Sequence, residues 1–329
     1  MRTFAKNNRC SRFCMKIIDS IFFDVIVTLV LLTPSISGVA QDVRVRREIP
    51  YCQAMYPGED KMKNLCFDFY EPAGDSNTLR PLVITLFGGG FVVGSRDYED
   101  MVEWCNRFAE NGYAAASIDY RLMPVRKFNT KGLIRTGFMA AQDVSTAVRF
   151  FKAHSEKYRI DTNRIFLLGQ SAGAVAILHA LYMDEDERPA ETFLDPELPP
   201  LHSMGNAATR KQSFRVAGAI LLWGCIFDPM MIDPDETTPI CMIHGEKDNI
   251  LAADSGFAFS IPTLPYVYGS KVIADRLREL GTSSFELHLL ADEPHAFYFK
   301  YAYLFRLDAM KFDNCYEIAE EFMRRHGSK

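Results

Sequence analysis

The sequence lacks the marks of several common protein classes. Its 37 lysine and arginine residues are outnumbered by 42 acidic residues, for a formal net charge of -5. A chain without a basic excess offers no broad face for phosphate backbones, which argues against nucleic acid as a partner. There is no internal repeat, no cysteine spacing typical of a metal knuckle and no composition shift that would mark a boundary between domains. These absences favour a small or neutral ligand. Neither a metal nor an organic cofactor is expected.

What is present is the composition of a folded domain. Hydrophobic residues make up 48% of the 329 residues and charged residues 24%, which is ordinary for a globular chain. This length suits one large α/β domain or two small ones.

The first 40 residues have the order of a secretory signal peptide. Basic residues at the start lead into an apolar stretch that is strongest over 25–32, and small residues follow up to Ala40. This order predicts cleavage near Ala40 and export to a periplasmic or extracellular compartment, leaving residues 41–329 as a single domain. A membrane anchor is the alternative, but Asp19 and Asp24 shorten the uncharged stretch below the roughly 18 to 20 residues that span a bilayer. Met15 could also serve as the start, because 15–40 is a complete signal by itself.

Six cysteines remain after the leader, at positions 52, 66, 105, 225, 241 and 315. Six cysteines allow fifteen pairings in an oxidising compartment, and the sequence does not choose among them. Cys52 and Cys66 flank a turn-rich segment, so a local disulfide between them is plausible. Cys225 and Cys241 lie in apolar runs, which favours buried thiols.

Short apolar runs alternate with helical patterns along the rest of the chain. Strands are predicted at 65–70, 81–86, 113–118, 164–168, 217–223, 238–243 and 285–290, and helices at 97–110, 138–158, 172–183, 269–280 and 304–325. This alternation indicates an α/β fold with a mostly parallel central sheet covered by helices on both faces. The proline-containing segment 184–215 is predicted to be a surface excursion. Ligands of such sheets bind beyond the carboxyl ends of the strands, so functional residues should directly follow strands.

The first such residue is Ser171, in the run Gly169-Gln170-Ser171-Ala172-Gly173. A strand that enters G-x-S-x-G and continues into a helix places the serine on a tight turn with its Oγ exposed above the sheet. This context predicts a nucleophile, whereas a glycine-rich turn with an idle serine is the simpler alternative.

A glycine loop, Gly88-Gly89-Gly90, directly follows the predicted strand 81–86. Its backbone N–H groups could face a tetrahedral oxyanion or a phosphate. A phosphate-binding loop needs lysine and then serine or threonine after its last glycine, and neither is present, so the oxyanion use is favoured.

Two late strand ends supply the remaining groups for an activated serine. Asp248 follows the strand 238–243, and His295 follows the strand 285–290. A histidine can remove the proton of Ser171 while a carboxylate holds it in the correct tautomer. Asp228 is an alternative acid, and His244 is expected to support the acid loop rather than act as the base.

At this point the chain resembles the α/β-hydrolase carboxylesterases, in particular the hormone-sensitive-lipase/arylacetamide-deacetylase and cholinesterase-like groups. The matching stretches are Gly88-Gly89-Gly90-Phe91 with Gly94, Asp119-Tyr120-Arg121-Leu122, Gln142-Asp143 with Ala147, Gly169 to Gly173, and the loops of Gly245/Asp248 and Pro294/His295. They run over most of the chain between about residues 65 and 300. The resemblance implies that Gly89, Gly90 and Ala172 donate the oxyanion hydrogen bonds and that Asp143 is structural.

The chain departs from that family at Phe87, where histidine is usual and helps to fix the glycine loop. Phenylalanine cannot make those hydrogen bonds, so the order of the loop is in question. Because losing one oxyanion donor can cost about 10² to 10³ in rate, a displaced loop would leave a feeble enzyme.

The resulting hypothesis is an exported serine carboxylesterase that uses Ser171, His295 and Asp248. Aromatic residues Phe91, Phe257, Phe259 and Tyr266 are candidates for the wall of the substrate pocket. Export suits a substrate outside the cell, such as acetylated or feruloylated polysaccharide. A serine amidase or peptidase with the same residues and a non-catalytic binding protein on the same scaffold are the alternatives. The sequence does not indicate the oligomeric state.

Overall fold

The fold is described from a computed structural model that covers residues 42–59, 61–74, 79–301 and 306–327. Residues 41–329 form one compact unit. The predicted signal peptide, 1–40, lies outside the described residues. Among the helices that are described, none combines the length and apolarity needed to cross a membrane.

An eight-stranded sheet is the centre of the molecule. Its strands in chain order are β1 (Val43–Met55), β2 (Met62–Pro72), β3 (Arg80–Leu86), β4 (Ala114–Ile118), β5 (Ile160–Gln170), β6 (Gly218–Leu222), β8 (Ile240–Gly245) and β11 (Phe285–Leu290). They lie in the spatial order β1-β2-β4-β3-β5-β6-β8-β11, and only the pairings that β2 makes with β1 and β4 are antiparallel. The predicted mostly parallel sheet is therefore confirmed.

All seven predicted strands are present, but the edge strand β1 was not predicted. Its sequence carries Arg44, Arg46, Arg47 and Glu48 among a few apolar residues, and most of its side chains are at least partly exposed. The prediction relied on short apolar runs, and an edge strand with one exposed face has none.

Helices cover both faces of the sheet. Thr85 on β3 pairs in register with Ser117 on β4, so their side chains share one face, and Thr85 contacts Cys105 of helix α1 (Glu99–Glu110). The neighbouring positions on β2 point the other way. There Phe67 packs its ring 4.8 Å from that of Phe151 in helix α2 (Thr130–Ala153).

The remaining helices are α3 (Ser155–Tyr158), α4 (Ala172–Tyr182), α5 (Ala207–Arg210), α6 (Ser270–Glu279) and α7 (Ala309–His326). Helix α2 begins eight residues before the predicted start at 138, because the Asn129 side chain caps it by accepting a hydrogen bond from the Gly132 amide. It ends at Ala153, before the predicted end at 158. Helix α7 begins at Ala309 rather than 304, with Asp308 as its cap.

Two small sheets lie beside the main one. β7 (Cys225–Ile226), β10 (Tyr266–Gly269) and β9 (Ser255–Phe257) form the first, and β12 (Phe299–Tyr301) with β13 (Arg306–Leu307) forms the second.

The predicted excursion 184–215 contains only short helical turns and is anchored along α2. Arg135 donates to the carbonyl oxygens of Glu191 and Pro196, and Gln142 donates to that of Pro199 at 2.5 Å. The segment is therefore a fixed surface layer on α2.

The local disulfide that the sequence made plausible between Cys52 and Cys66 is not formed. Both residues lie on the paired strands β1 and β2, but Cys66 is opposite Pro50 and Cys52 is opposite Leu65. The six cysteines of the described region are all free thiols, and Cys225 and Cys241 are buried as predicted.

A buried ion pair joins the loop after β4 to α2. The Arg121 guanidinium lies 2.8 Å from the Asp143 carboxylate, and both side chains are almost fully buried. Asp143 also accepts a hydrogen bond from the Arg121 amide at 2.8 Å. This bonding gives Asp143 the structural role that the resemblance implied.

Removing this carboxylate should strongly destabilise the fold. We expect Asp143→Ala to lower the free energy of unfolding by about 3 to 5 kcal/mol, because it leaves the buried Arg121 charge with only neutral hydrogen-bond partners. Urea denaturation followed by tryptophan fluorescence measures the change. The matched control is Asp313→Ala, which breaks the more exposed Arg107–Asp313 pair and should cost no more than about 1 kcal/mol. Equal losses in the two variants would contradict a structural role for the buried pair.

Candidate active site

Ser171 lies on a tight turn between β5 and α4. Its φ is +51°, a left-handed value that is uncommon for a residue other than glycine. A Cβ on Gly169 would lie 2.6 Å from the Gly173 carbonyl carbon, and one on Gly173 would lie 2.5 Å from the Leu86 oxygen. Both glycines are therefore required by close backbone packing, as the motif predicts.

The structure brings Ser171, His295 and Asp248 together although they come from three different loops. His295 Nε2 lies 3.0 Å from Ser171 Oγ, and His295 Nδ1 lies 2.6 Å from Asp248 Oδ2. Because an ionised carboxylate only accepts hydrogen bonds, Nδ1 carries the ring proton and Nε2 is free to accept from the serine hydroxyl. This geometry can make a serine hydroxyl nucleophilic.

The Asp248 carboxylate is buried and remains ionised. Burial by itself would raise its pKa, but hydrogen bonds from His244 and His295 outweigh burial and hold the pKa well below the usual range. Its second oxygen accepts from the amides of Ile250 and Leu251 at 2.8 and 2.9 Å. The carboxylate is thus fixed in position as well as in charge.

His244 contacts the same Asp248 oxygen as His295 does. Its Nε2 lies 3.1 Å from Asp248 Oδ2 and 2.9 Å from the Leu251 oxygen, so this nitrogen carries a proton. Its Nδ1 accepts from the Ser270 hydroxyl at 2.8 Å. These contacts agree with the predicted support of the acid loop. The alternative acid, Asp228, instead caps a short helical turn through the amide of Met230.

The glycine loop borders Ser171. Gly89 and Gly90 have φ values of +126° and +61°, and a Cβ on Gly89 would lie 1.9 Å from the Val93 oxygen. Within the described chain, the amides of Gly89 and Gly90 donate to no loop backbone oxygen, and Ala172 is the first residue of α4. These three amides thus have no backbone acceptor among the described residues, and their use as oxyanion donors stays a prediction.

Phe87 is buried and packed rather than disordering the loop. Its ring stacks on Tyr120 with centroids 4.3 Å apart, and its carbonyl oxygen accepts from the Tyr120 hydroxyl at 2.8 Å. Its ring also lies so close to Gly94 that a Cβ there would be 2.2 Å from Cδ2. Tyr120 therefore supplies the order that was in question for a loop without the usual histidine.

Two cavities meet at Ser171. The wide cavity has a volume of about 470 Å³. It is lined by Gly88, Gly89, Gly90, Val92, Val93, Tyr98, Phe128, Gln170, Ser171, Trp223, Ile250, Phe259, His295, Ala296 and Phe299. The narrow cavity has a volume of about 30 Å³. It is lined by Gly90, Phe91, Leu133, Ser171, Ala172, Val175, Cys225, Phe227, Leu251, Ala258, Phe259, Pro265 and Val267.

Two of the four predicted pocket aromatics line these cavities. Phe91 lines the narrow cavity, and Phe259 lines both. The predictions for Phe257 and Tyr266 were wrong: these side chains are 42% and 45% exposed and pack against each other with centroids 5.2 Å apart. They lie opposite each other on β9 and β10 and line neither cavity.

Sequence reasoning missed most of the cavity walls. Leu133 lies on α2 and Phe128 just before it, whereas Trp223 follows β6 and Phe227 follows β7. Trp223 packs edge-on against His295 with centroids 5.9 Å apart. Trp223 was missed because it is the last residue of the predicted strand 217–223, whereas β6 ends at Leu222 and leaves Trp223 at the strand end where the other site residues lie.

A buried polar cluster lies behind the serine turn. Gln170 Nε2 donates to Asp100 at 2.5 Å, and the Tyr298 hydroxyl lies 2.5 Å from Gln170 Oε1 and 3.2 Å from Asp100. These three side chains connect the start of α1, the residue before Ser171 and the loop of His295. Burial raises the pKa of Asp100 to about 6, and the hydrogen bonds from Gln170 and Tyr298 only partly oppose this.

One group of metal-type ligands occurs in the described region, away from Ser171. Cys241, Glu286 and His288 lie on β8 and β11 with their ligand atoms within 4.8 Å of one another. Arg325 lies 2.8 Å from the Glu286 carboxylate, so this carboxylate already has a positive partner. The serine chemistry does not call on this group.

The comparisons with known proteins agree with this architecture. Esterase 2 of Thermogutta terrifontis, solved as the adduct with tabun, superposes with a TM-score of 0.58 over 89% of this chain and 97% of its own, at 19% identity. The chain has the α/β-hydrolase fold. The BD-FAE family model also matches residues 67–226, which are just under half of the chain.

Two curated relatives are named as ester hydrolases. The isoprenylcysteine alpha-carbonyl methylesterase of Arabidopsis thaliana is 30% identical over 44% of this chain and 30% of its own length. The ethyl acetate hydrolase of Pseudomonas putida is 32% identical over 32% of this chain and 30% of its own. The chain spans about a third or less of the first curated relatives that it matches. The resemblance to α/β-hydrolase esterases that the motifs indicate is confirmed.

The buried Asp100 should make stability depend on pH. The carboxyl has a pKa of about 6 when folded and an ordinary value near 4 when unfolded, so the folded chain binds more protons between pH 4 and 6. Its contribution to the free energy of unfolding therefore falls as pH rises through this range. Asp100→Asn cannot ionise, so the stability of the variant relative to the parent should rise by up to about 3 kcal/mol from pH 4 to 7.

Urea denaturation at a series of pH values measures this difference. The control is Glu99→Gln, which removes the same charge from the exposed neighbouring position on α1. Parallel pH curves for Asp100→Asn and the parent protein would show that Asp100 does not titrate in this range.

Proposed function

We propose that the protein is a serine hydrolase of carboxylic esters with Ser171 as nucleophile, His295 as base and Asp248 as the orienting acid. The observation that carries this proposal is the hydrogen-bonded chain from Ser171 Oγ through the His295 ring to Asp248. The names of the curated relatives and of the solved structures, which are esterases, support an ester as the substrate.

The reaction follows from the positions of these groups. His295 Nε2 accepts the hydroxyl proton as Ser171 Oγ attacks the ester carbonyl, and Asp248 stabilises the imidazolium that forms. The amides of Gly89, Gly90 and Ala172 hold the negative oxygen of the tetrahedral intermediate. The proton on Nε2 then passes to the leaving alcohol, and an acyl ester on Ser171 remains. Water, activated by the same histidine, releases the acid and restores the serine.

Export and an extracellular substrate are part of the proposal. The signal-like order of residues 1–40 supports export, and acyl esters of polysaccharides are then candidate substrates. The apolar walls of the wide cavity favour an apolar alcohol instead. Rates on acetylated sugar, feruloyl and aromatic acetate esters distinguish these substrates, and an ester and amide pair with the same acyl group tests the amidase alternative.

Replacing the nucleophile should abolish turnover. Ser171→Ala is expected to lower kcat on a nitrophenyl ester by about 10⁴-fold or more, because no other group can form the acyl intermediate. A fluorophosphonate probe should label the parent protein at Ser171 and leave the variant unlabelled, since labelling requires an activated serine. The control is Ser203→Ala, which removes a hydroxyl that donates to the Pro200 oxygen in the segment 184–215 and not to a site residue. Parent-like turnover by Ser171→Ala would disprove the mechanism.

The Tyr120 hydroxyl should matter through the glycine loop. Tyr120→Phe leaves the ring stacked on Phe87 but removes the hydrogen bond to the Phe87 carbonyl. We expect kcat to fall roughly tenfold while KM changes little, because loop displacement weakens oxyanion binding more than substrate binding. Tyr113→Phe, at the opposite end of β4, is the control. Unchanged kcat in Tyr120→Phe would mean that ring stacking alone orders the loop.

A further inference from the structure

The two cavities at Ser171 differ in their access to the proton donor. His295 lines the wide cavity and does not line the narrow one, whereas Gly90 and Ser171 line both. In the reaction proposed above, His295 Nε2 must deliver its proton to the leaving alcohol oxygen. The alcohol therefore occupies the wide cavity, and the acyl group points into the narrow cavity beside Ala172.

The narrow cavity limits the length of that acyl group. Its volume is about 30 Å³, and one water molecule needs roughly 10 to 15 Å³ on a similar measure. Its walls are apolar and belong to packed elements: Leu133 on α2 is 5% exposed, and Val175 on α4 is 3% exposed. There is room for two or three atoms, which fits the carbons of an acetyl or propionyl group.

Phe227 closes the same cavity and is held in place by a buried histidine. Its amide donates to His179 Nε2 at 3.3 Å, and its ring packs against the His179 ring with centroids 4.3 Å apart. His179 is itself fixed by a bond from Nδ1 to the Val175 oxygen at 2.7 Å. Two of the walls are thus tied to each other, so the cavity does not readily expand.

Phe259 separates the two cavities. The end of its ring lies against the glycine loop, because a Cβ on Gly90 would be 3.1 Å from Phe259 Cζ. The residue has a left-handed φ of +58°, and its amide donates to the Ile250 oxygen at 2.7 Å. Its ring also packs edge-on against Phe128 with centroids 5.3 Å apart. The ring is therefore a fixed partition between acyl and alcohol sides.

We propose that the narrow cavity is an acyl site for groups of two or three carbons and that Phe259 and Leu133 determine this limit. The substrate class is then a short-chain ester, acetate above all, of a bulky apolar alcohol. This inference rests on the proposed function. It favours acetyl over feruloyl esters, since a feruloyl group cannot enter a cavity of this volume.

Two substrate series test the proposal. In nitrophenyl esters from acetate to hexanoate, kcat/KM should fall about tenfold or more beyond propionate, because the extra methylenes find no space. In a series of acetates, replacing phenol by naphthol should cause no such fall, since the alcohol lies in the wide cavity. Hexanoate hydrolysis as fast as acetate hydrolysis would overturn the assignment.

Variants connect the limit to the named residues. Leu133→Ala and Phe259→Ala should each raise the ratio of hexanoate to acetate kcat/KM roughly tenfold, the first by lengthening the narrow cavity and the second by opening its partition. Phe257→Ala is the matched control, because that phenylalanine is two residues from Phe259 but lines neither cavity. A ratio that is unchanged in both cavity variants, or raised equally in the control, would overturn the role of these residues.

Fluorophosphonate labelling distinguishes a failure of the proposed function from a failure of the acyl-site assignment. If Ser171 is not labelled and no ester is cleaved, the proposed function fails together with the acyl site. If Ser171 is labelled but long acyl groups are accepted, only the acyl site is disproved.

Discussion

The close approach of backbone at the Ser171 turn is the constraint on which the rest of the site depends. The left-handed backbone of Ser171 costs about 1 to 3 kcal/mol and persists only because its surroundings fix it. The Ser171 amide donates to the Leu222 oxygen on β6, and its carbonyl accepts from the Val175 amide of α4. Glycines at 169 and 173 allow this packing. As a result Oγ is presented at the carboxyl edge of the sheet, where the loops of Asp248 and His295 also end.

Three buried carboxyl groups, Asp143, Asp248 and Asp100, are each compensated differently. Asp143 has a full positive partner in Arg121, and Asp248 has two histidines and two amides. Asp100 has only neutral partners in Gln170 and Tyr298, and burial raises its pKa to about 6. The carboxylate that must stay charged for the proposed chemistry is thus the one with the most hydrogen-bond donors.

The loop of Phe87 shows how packing can replace a polar side chain. A histidine would hold the glycine loop by hydrogen bonds, whereas here the Phe87 ring stacks on Tyr120 and the tyrosine hydroxyl bonds the Phe87 carbonyl. Tyr120 is followed by Arg121, whose bond to Asp143 fixes this segment against α2. Tyr120 therefore supplies the contacts that hold the glycine loop at a position where Phe87 replaces the usual histidine.

Local sequence determined the parts of this protein that local chemistry controls. Apolar runs of strand length located the central strands, and a serine between glycines at a strand end located the turn at Ser171. Asp248 and His295 could be located because each follows a predicted strand, and the carboxyl ends of parallel strands meet at one edge of the sheet. Even the support of Asp248 by His244 could be expected, because His244 lies at the end of the strand that leads into the loop of Asp248.

Tertiary structure alone decided the features that depend on distant residues. The edge strand β1 has no apolar run to reveal it, and the capping of α2 by Asn129 moved that helix start. The walls of the narrow cavity come from α2, α4 and the segment after β6, so no window of sequence contains them. Phe259 and Phe257 are the same residue type two positions apart, yet Phe259 contacts the glycine loop and Phe257 is exposed. Phe259 has a left-handed backbone, whereas Phe257 lies on the short antiparallel strand β9. The two side chains therefore point differently, because side-chain direction follows from backbone geometry and packing rather than from residue type.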